Sequence, residues 1–305
     1  MKRFLVVIVS IVIFTSCEDI ITVEVDEGIV QVSVDAFLNS MDQPQSIKLL
    51  KTKQFFDNVS QDPFNADSVY VKDDLGNMYL FEDLNSDGEY VWDDSILVHE
   101  GRTYDLTIKS SGVIYTSEAY ANPVPQIDSL NWEYAPPTLG TGGIGGYLVE
   151  LVARDLSGQT DYYWIKFKKN NKYLISKENI NLAVDGSFSA ESQADGQLFI
   201  PPISTFPMFD PDDTLKLGDL ATYEIWSISE QTNGFWSEVQ NQVISGGGIG
   251  ALFATPTANV KTNILSSSSE SSKQAVGWFS VSMVSDETIT IEEKEGERLS
   301  FPLSF

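Results

Sequence analysis

This sequence holds one cysteine and one histidine in 305 residues, and its 19 lysines and arginines are outnumbered by 44 aspartates and glutamates. Each shortage removes a class of chemistry. One cysteine allows no internal disulfide, so stability has to come from packed cores. A Ser-His-Asp triad would have to be built on His99, because no other imidazole is present to act as base. His99 stands beside Glu100-Gly101, far from any nucleophile-elbow pattern, and reads as a turn residue. A zinc site of the usual His/Cys type cannot be assembled from one of each. The net charge of −25 argues against a nucleic-acid partner, since phosphate binding needs clustered Lys and Arg. No apolar run reaches the roughly 20 residues that a membrane-spanning helix needs. With 42 % apolar and 11 % aromatic residues, the chain is expected to fold rather than stay disordered.

What is present begins at the N-terminus. Met1-Lys2-Arg3 is basic, and Phe4 to Phe14 is apolar apart from Ser10. That is the form of a signal-peptide core. It ends in Phe14-Thr15-Ser16-Cys17, small residues leading to the one cysteine, as a lipobox does, with Phe14 where leucine is usual. The expectation is a signal peptide over 1–16, cleavage before Cys17, acylation of that cysteine, and a tether over 17–28. Each buried CH₂ of an acyl chain contributes about 0.8 kcal/mol, so two or three chains anchor the protein to a membrane permanently. Glu18 and Asp19 follow the cysteine and partly match a surface-export signal, which points to the outer membrane and favours its outward side over the periplasmic one.

Beyond the tether, period-2 alternation dominates. Strands are expected at Ile29–Leu38, Gln45–Thr52, Asp67–Lys72, Asn77–Glu82, Glu89–Trp92, Thr103–Lys109 and Val113–Glu118. Asp-Leu-Gly-Asn, Asn-Ser-Asp-Gly, His-Glu-Gly and Ser-Ser-Gly punctuate them as turns. Seven short strands in about 90 residues indicate a mainly β protein whose first domain, 29–121, is an immunoglobulin-like or prealbumin-like sandwich. Asn122-Pro123-Val124-Pro125 makes a stiff connector. A second β-rich domain is expected over 126–305. Its clearest strands are Tyr147–Ala153, Tyr162–Lys168, Leu220–Ile228 and Val276–Met283, with one prominent helix near 229–245 that Gly246-Gly247-Gly248 ends.

Three features invite functional readings. Asp83, Asn85, Asp87, Gly88 and Asp94 place oxygens at relative positions 1, 3, 5 and 12 and glycine at 6, as a calcium loop does. Strand-like flanks and the shorter aspartate at position 12 favour a hairpin turn instead. Trp132, Tyr134, Tyr163, Trp226 and Trp236 are candidates to stack on sugar or peptide, or to form core. The Asp-Ser-hydrophobic triplets at Asp67, Asp94 and Asp128 resemble a short O-glycosylation signal. The glycines from Gly140 to Gly146 lack the Lys-Ser/Thr continuation of a phosphate loop. No resident cofactor is expected unless calcium occupies the loop.

In order along the chain stand the lipobox, Asp73-Asp74-Leu75-Gly76-Asn77, Gly101 with Tyr104-Asp105-Leu106-Thr107-Ile108, and Pro125 to Leu130. Asp161-Tyr162-Tyr163-Trp164, the aromatic helix, Pro256 to Ile264 and Gly277-Trp278-Phe279-Ser280 follow. Together they resemble a Bacteroidota lipoprotein family described as a domain of unknown function, often encoded beside TonB-dependent outer-membrane receptors. The resemblance implies a non-enzymatic accessory or substrate-capture partner of such a receptor. The alternative from residue content is a surface glycan-binding protein or a hydrolase using carboxylates alone.

Overall fold

The computed structural model describes residues 28–53, 60–137, 143, 145–174, 180–187, 195–201, 203–205, 214–245 and 260–293. It is mainly β, as the alternation implies. The first seven strands are β1 (Val32–Asn39), β2 (Gln45–Lys51), β3 (Ser68–Asp73), β4 (Met78–Phe81), β5 (Glu89–Trp92), β6 (Thr103–Ser110) and β7 (Val113–Tyr120). All seven expected strands are present. The sheet β1-β2-β5 faces the sheet β7-β6-β3-β4, which is the immunoglobulin order of A, B, E against G, F, C and C′. Their inward residues alternate along each strand, among them Val34, Ala36, Leu38, Ile47, Leu49, Phe81, Leu106 and Ile108. Fully burying one such Val, Leu, Ile or Phe side chain contributes about 1.5–3 kcal/mol.

Tyr104, fully buried, supplies a tyrosine corner at the start of β6. Its hydroxyl donates to the Leu97 carbonyl at 3.1 Å and accepts the His99 backbone N–H at 2.7 Å. The only histidine is thus a turn residue with an exposed side chain, as its context implies.

The second unit begins with β8 (Ile127–Ala135) and β9 (Gly146–Ala153), a hairpin of its own. It continues with β10 (Tyr162–Lys169), β11 (Lys172–Tyr173), β12 (Asn181–Val184) and β13 (Leu220–Ile228). Helix α1 (Glu230–Ser245) follows, with the Ser229 hydroxyl accepting the Thr232 N–H at 3.1 Å as its cap. The last strands are β14 (Leu265–Ser266), β15 (Ala275–Ser282) and β16 (Val284–Thr290). Strands β10, β13 and β16 pair in sequence, with β11 and β12 on the free side of β10. Tyr163, Ile165, Phe167, Tyr223 and Ile225 form the inner face of that sheet, packed with Val149 and Leu151 of β9.

The boundary expected at 122–125 is crossed by later strands. β14 pairs with β7, and β15 pairs in parallel with the whole of β1, from Val32↔Ala275 to Asn39↔Ser282. Phe279 and Val281 enter the core of the first sandwich. The physical reason is that alternation marks a strand but not the sheet that accepts it, and a parallel partner always arrives through a long connection. Gly277 makes the pairing possible. Its φ is +99°, and a Cβ there would lie 1.9 Å from the Val34 carbonyl oxygen.

At the joint between units, β15 passes to β16 through Met283 alone. Ser227 binds this crossing. Its N–H donates to the Met283 carbonyl, its Oγ accepts the Met283 N–H, and its O–H donates to the Asn122 carbonyl at 2.7 Å. Val284 N–H donates to Ser40 Oγ, and Ile127 N–H to Ser285 Oγ. Both units are therefore stapled by a partly buried hydrogen-bond cluster.

Candidate functional site: an aromatic cleft between the two units

The outward face of β1 carries Asp35 and Phe37, because Val34, Ala36 and Leu38 point to the core. The outward face of β10 carries Trp164, Lys166 and Lys168, and β13 sets Trp226 and Glu224 directly across from Trp164 and Lys166. These two outward faces confront each other, and α1 closes one end. Phe37 lies 6.0 Å from Trp164 and 5.1 Å from Trp236 between ring centroids. Trp164 and Trp236 lie 4.4 Å apart, and Phe235 stacks on Trp278 at 4.8 Å. The Trp278 indole N–H donates to Thr232 Oγ1 at 3.0 Å, fastening β15 to α1.

The polar part of the cleft sits beside these rings. Lys166 Nζ lies 3.9 Å from the Trp226 ring centroid, 4.3 Å from Tyr173 and 4.6 Å from Trp164. Such contacts are typical of a caged cation. Glu224 is fully buried and saturated: Lys168 pairs with it at 2.5 Å, Trp226 Nε1 donates at 2.7 Å, and the Tyr173 hydroxyl reaches both oxygens. Burial, then the charge and hydrogen bond of Glu224, push the Tyr173 hydroxyl well above its usual range. On the facing wall Asp35 stands opposite Lys48. Asp35 is exposed to solvent, yet the walls around it raise its carboxyl above the ordinary 3.8, with Lys48 and Lys166 opposing the rise.

The candidate calcium loop becomes a hairpin turn joining β4 to β5. The Asp83 carboxylate accepts the N–H groups of Asn85, Asp87 and Gly88 at 3.2, 3.3 and 3.0 Å, and Asp87 accepts that of Glu89 at 3.0 Å. Gly88 has φ +84° and touches the Leu49 strand so closely that a Cβ would lie 2.4 Å from its carbonyl oxygen. No three Asp, Glu, His or Cys side chains among the described residues are grouped so that they could hold a metal, so Asp83, Asp87 and Asp94 are not gathered into a cage. The flanks being strands explains this: an EF-type loop is closed by two helices that carry its ends together. Open grooves of about 470 and 490 Å³ flank the turn, lined by Asp67, Glu82 and Asp83 on one side and Glu82, Glu89 and Asp93 on the other.

The stacking candidates separate. Tyr163 is core, its hydroxyl donating to the buried Asp155 at 2.7 Å. Trp132 is partly buried, its indole donating to the Glu292 carbonyl, and Tyr134 meets Tyr147 edge-on at 5.4 Å. Only Trp226 and Trp236 join the cleft. Lys166, Phe37, Trp164 and Trp278 belong there too and were not among the candidates; the lone lysine between aromatics in Trp164-Ile165-Lys166-Phe167 was the available sign. Of the glycosylation triplets, Ser68 and Ser129 lie in strands and Ser95 in an exposed loop. Cys17, the signal peptide and nearly all of the tether lie outside the described residues, and none of the described helices is long and apolar enough to cross a membrane.

An immunoglobulin-type sandwich joined through shared strands to a second β unit, with aromatic side chains packed between them, defines a two-part β protein. More particularly, the chain belongs to the family described as a domain of unknown function, DUF4249, whose model matches residues 18–288. Among curated proteins no match is found.

Proposed function

We propose that this chain is an outer-membrane lipoprotein, held by acyl chains on Cys17, that serves a TonB-dependent receptor as a non-enzymatic accessory and captures substrate for it. The observation that carries the capture role is the cleft. It gathers Trp164, Trp226, Tyr173 and Lys166 at the meeting of two units, where proteins commonly bind small ligands. Rings and an unpaired ammonium recognise and hold. The lipobox and the resemblance to lipoproteins encoded beside TonB-dependent receptors support the location and the partner. A tagged, detergent-solubilised chain is expected to copurify with a β-barrel receptor from its own membrane. Recovery without any barrel would overturn the partnership. Cys17→Ser is expected to leave the membrane fraction, and its retention there would overturn the anchor.

A further inference from the structure

We propose that Lys166 anchors a carboxylate-bearing ligand at the mouth of the cleft. This rests on the capture role above and names the chemistry of what is captured. Three rings wall the Lys166 ammonium without neutralising it, since cation–π contacts leave the charge in place. The nearby carboxylates, Glu224 and Asp35, act on Lys166 through their charge, but neither is paired with it. Glu224 stands directly across from Lys166 in the ladder but turns its oxygens to Lys168, Tyr173 and Trp226. Asp35 is set against Lys48, the lysine that acts on it most strongly. Lys166 has no ion pair or hydrogen bond among the described residues, in a chain whose net charge is −25.

A buried ammonium is costly unless an anion pairs with it directly. Burial pushes the Lys166 pKa down to about 8, with Glu224 and Asp35 pulling the other way and Lys168 adding to the fall. Two more donors in the same cluster have no acceptor, the buried indole N–H groups of Trp164 and Trp236. An ammonium with no directly paired anion selects an anionic oxygen ligand. The flat ring walls select one whose charge is carried on an apolar body. Lys166 is partly exposed and Tyr173 is 36 % exposed, so this end of the aromatic cluster borders solvent. A cationic ligand would meet Lys166 already in the cage, and a neutral sugar would leave the ammonium unpaired.

The test is calorimetric titration of the solubilised full chain with benzoate, hexanoate, benzamide, inorganic phosphate and maltohexaose. Both carboxylates are expected to bind saturably, and benzamide at least about tenfold more weakly. Lys166→Met, which keeps the length of the side chain, is expected to weaken benzoate at least about tenfold with the melting curve retained. Lys166→Arg retains binding, and Asp35→Asn, which removes a neighbouring negative charge, strengthens it. Equal binding of benzamide, undiminished binding by the Met variant, weaker binding by Asp35→Asn, or binding of phosphate or maltohexaose but no carboxylate would each overturn the proposal. Absence of carboxylate binding while a receptor still copurifies sinks this inference alone.

Discussion

Gly277→Ala should unseat the strand that joins the two units. Two costs combine. Alanine at φ +99° is strained by about 1–3 kcal/mol. Its Cβ would also lie 1.9 Å from the Val34 carbonyl oxygen and 2.8 Å from the Val34 carbonyl carbon and nitrogen, which are backbone atoms with no rotamer to escape into. β15 must then draw away from β1 around Val34↔Gly277. Losing two ladder hydrogen bonds costs about 1–3 kcal/mol more. Phe279 and Val281 are buried in the first core only while the strand stays seated. The expected loss is about 2–6 kcal/mol, a large share of the 5–15 kcal/mol typical of a domain. Gly112→Ala is the control, because Gly112 has φ +79° but nothing within 4 Å of the added atom. It should cost only about 1 kcal/mol. Urea denaturation followed by tryptophan fluorescence compares the two, and Trp278 on β15 reports on the strand itself. If Gly277→Ala falls within about 0.5 kcal/mol of Gly112→Ala, the close approach does not govern the pairing and the reasoning fails.

Tyr104→Phe should lower stability by about 1–3 kcal/mol, read by urea denaturation, because it orphans the buried Leu97 carbonyl and the His99 N–H together. Glu224→Ala should cost more, about 3–5 kcal/mol, since Lys168 loses its counter-ion and Trp226 and Tyr173 lose their acceptor; a cost near zero would show the pair to be dispensable. Asp73→Asn tests the β3–β4 turn. Burial alone would raise the Asp73 carboxyl, but hydrogen bonds from Asn77 and Leu75 and the Arg102 charge outweigh it and hold the pKa below 3.8. A lowered folded pKa contributes stability above the ordinary value and loses it as pH falls through the folded one. The gap between wild type and Asp73→Asn should be about 1–3 kcal/mol at neutral pH and should close below pH 4; a gap that stays constant on acidification contradicts the assignment.

The strands were legible where one face is buried and the other is wet. β6 reads Tyr104, Leu106 and Ile108 inward against Asp105, Thr107 and Lys109, and its limits follow from that pattern alone. β16 is not legible, for the converse reason. Val-Ser-Asp-Glu-Thr-Ile-Thr is an edge strand with most side chains exposed, so it carries little hydrophobic signal. Helix α1 is visible from its aromatic pair and the glycines after it, but not what it covers. The cleft was illegible because its residues come from β1, β10, β13, β15 and α1, and only the fold makes neighbours of Phe37, Trp164, Trp236 and Trp278. The Asp83 loop is ambiguous in the sequence for another reason. Asn, Asp and Gly suit a tight turn and a calcium loop for the same conformational reasons, and only the strands on either side separate the two.

The parallel pairing of β1 with β15 also has a kinetic side. During synthesis β1 emerges about 240 residues ahead of the strand that completes its outer edge. The first sandwich can collapse from its seven local strands. Until Ala275–Ser282 arrives, however, one side of β1 stays open along eight residues, a template for mispairing with another chain. Folding of the two units is therefore sequential and interlocked, the first left ajar until the second is nearly built. A fragment ending at the proline connector inherits that open edge permanently, and it should aggregate where the longer chain does not.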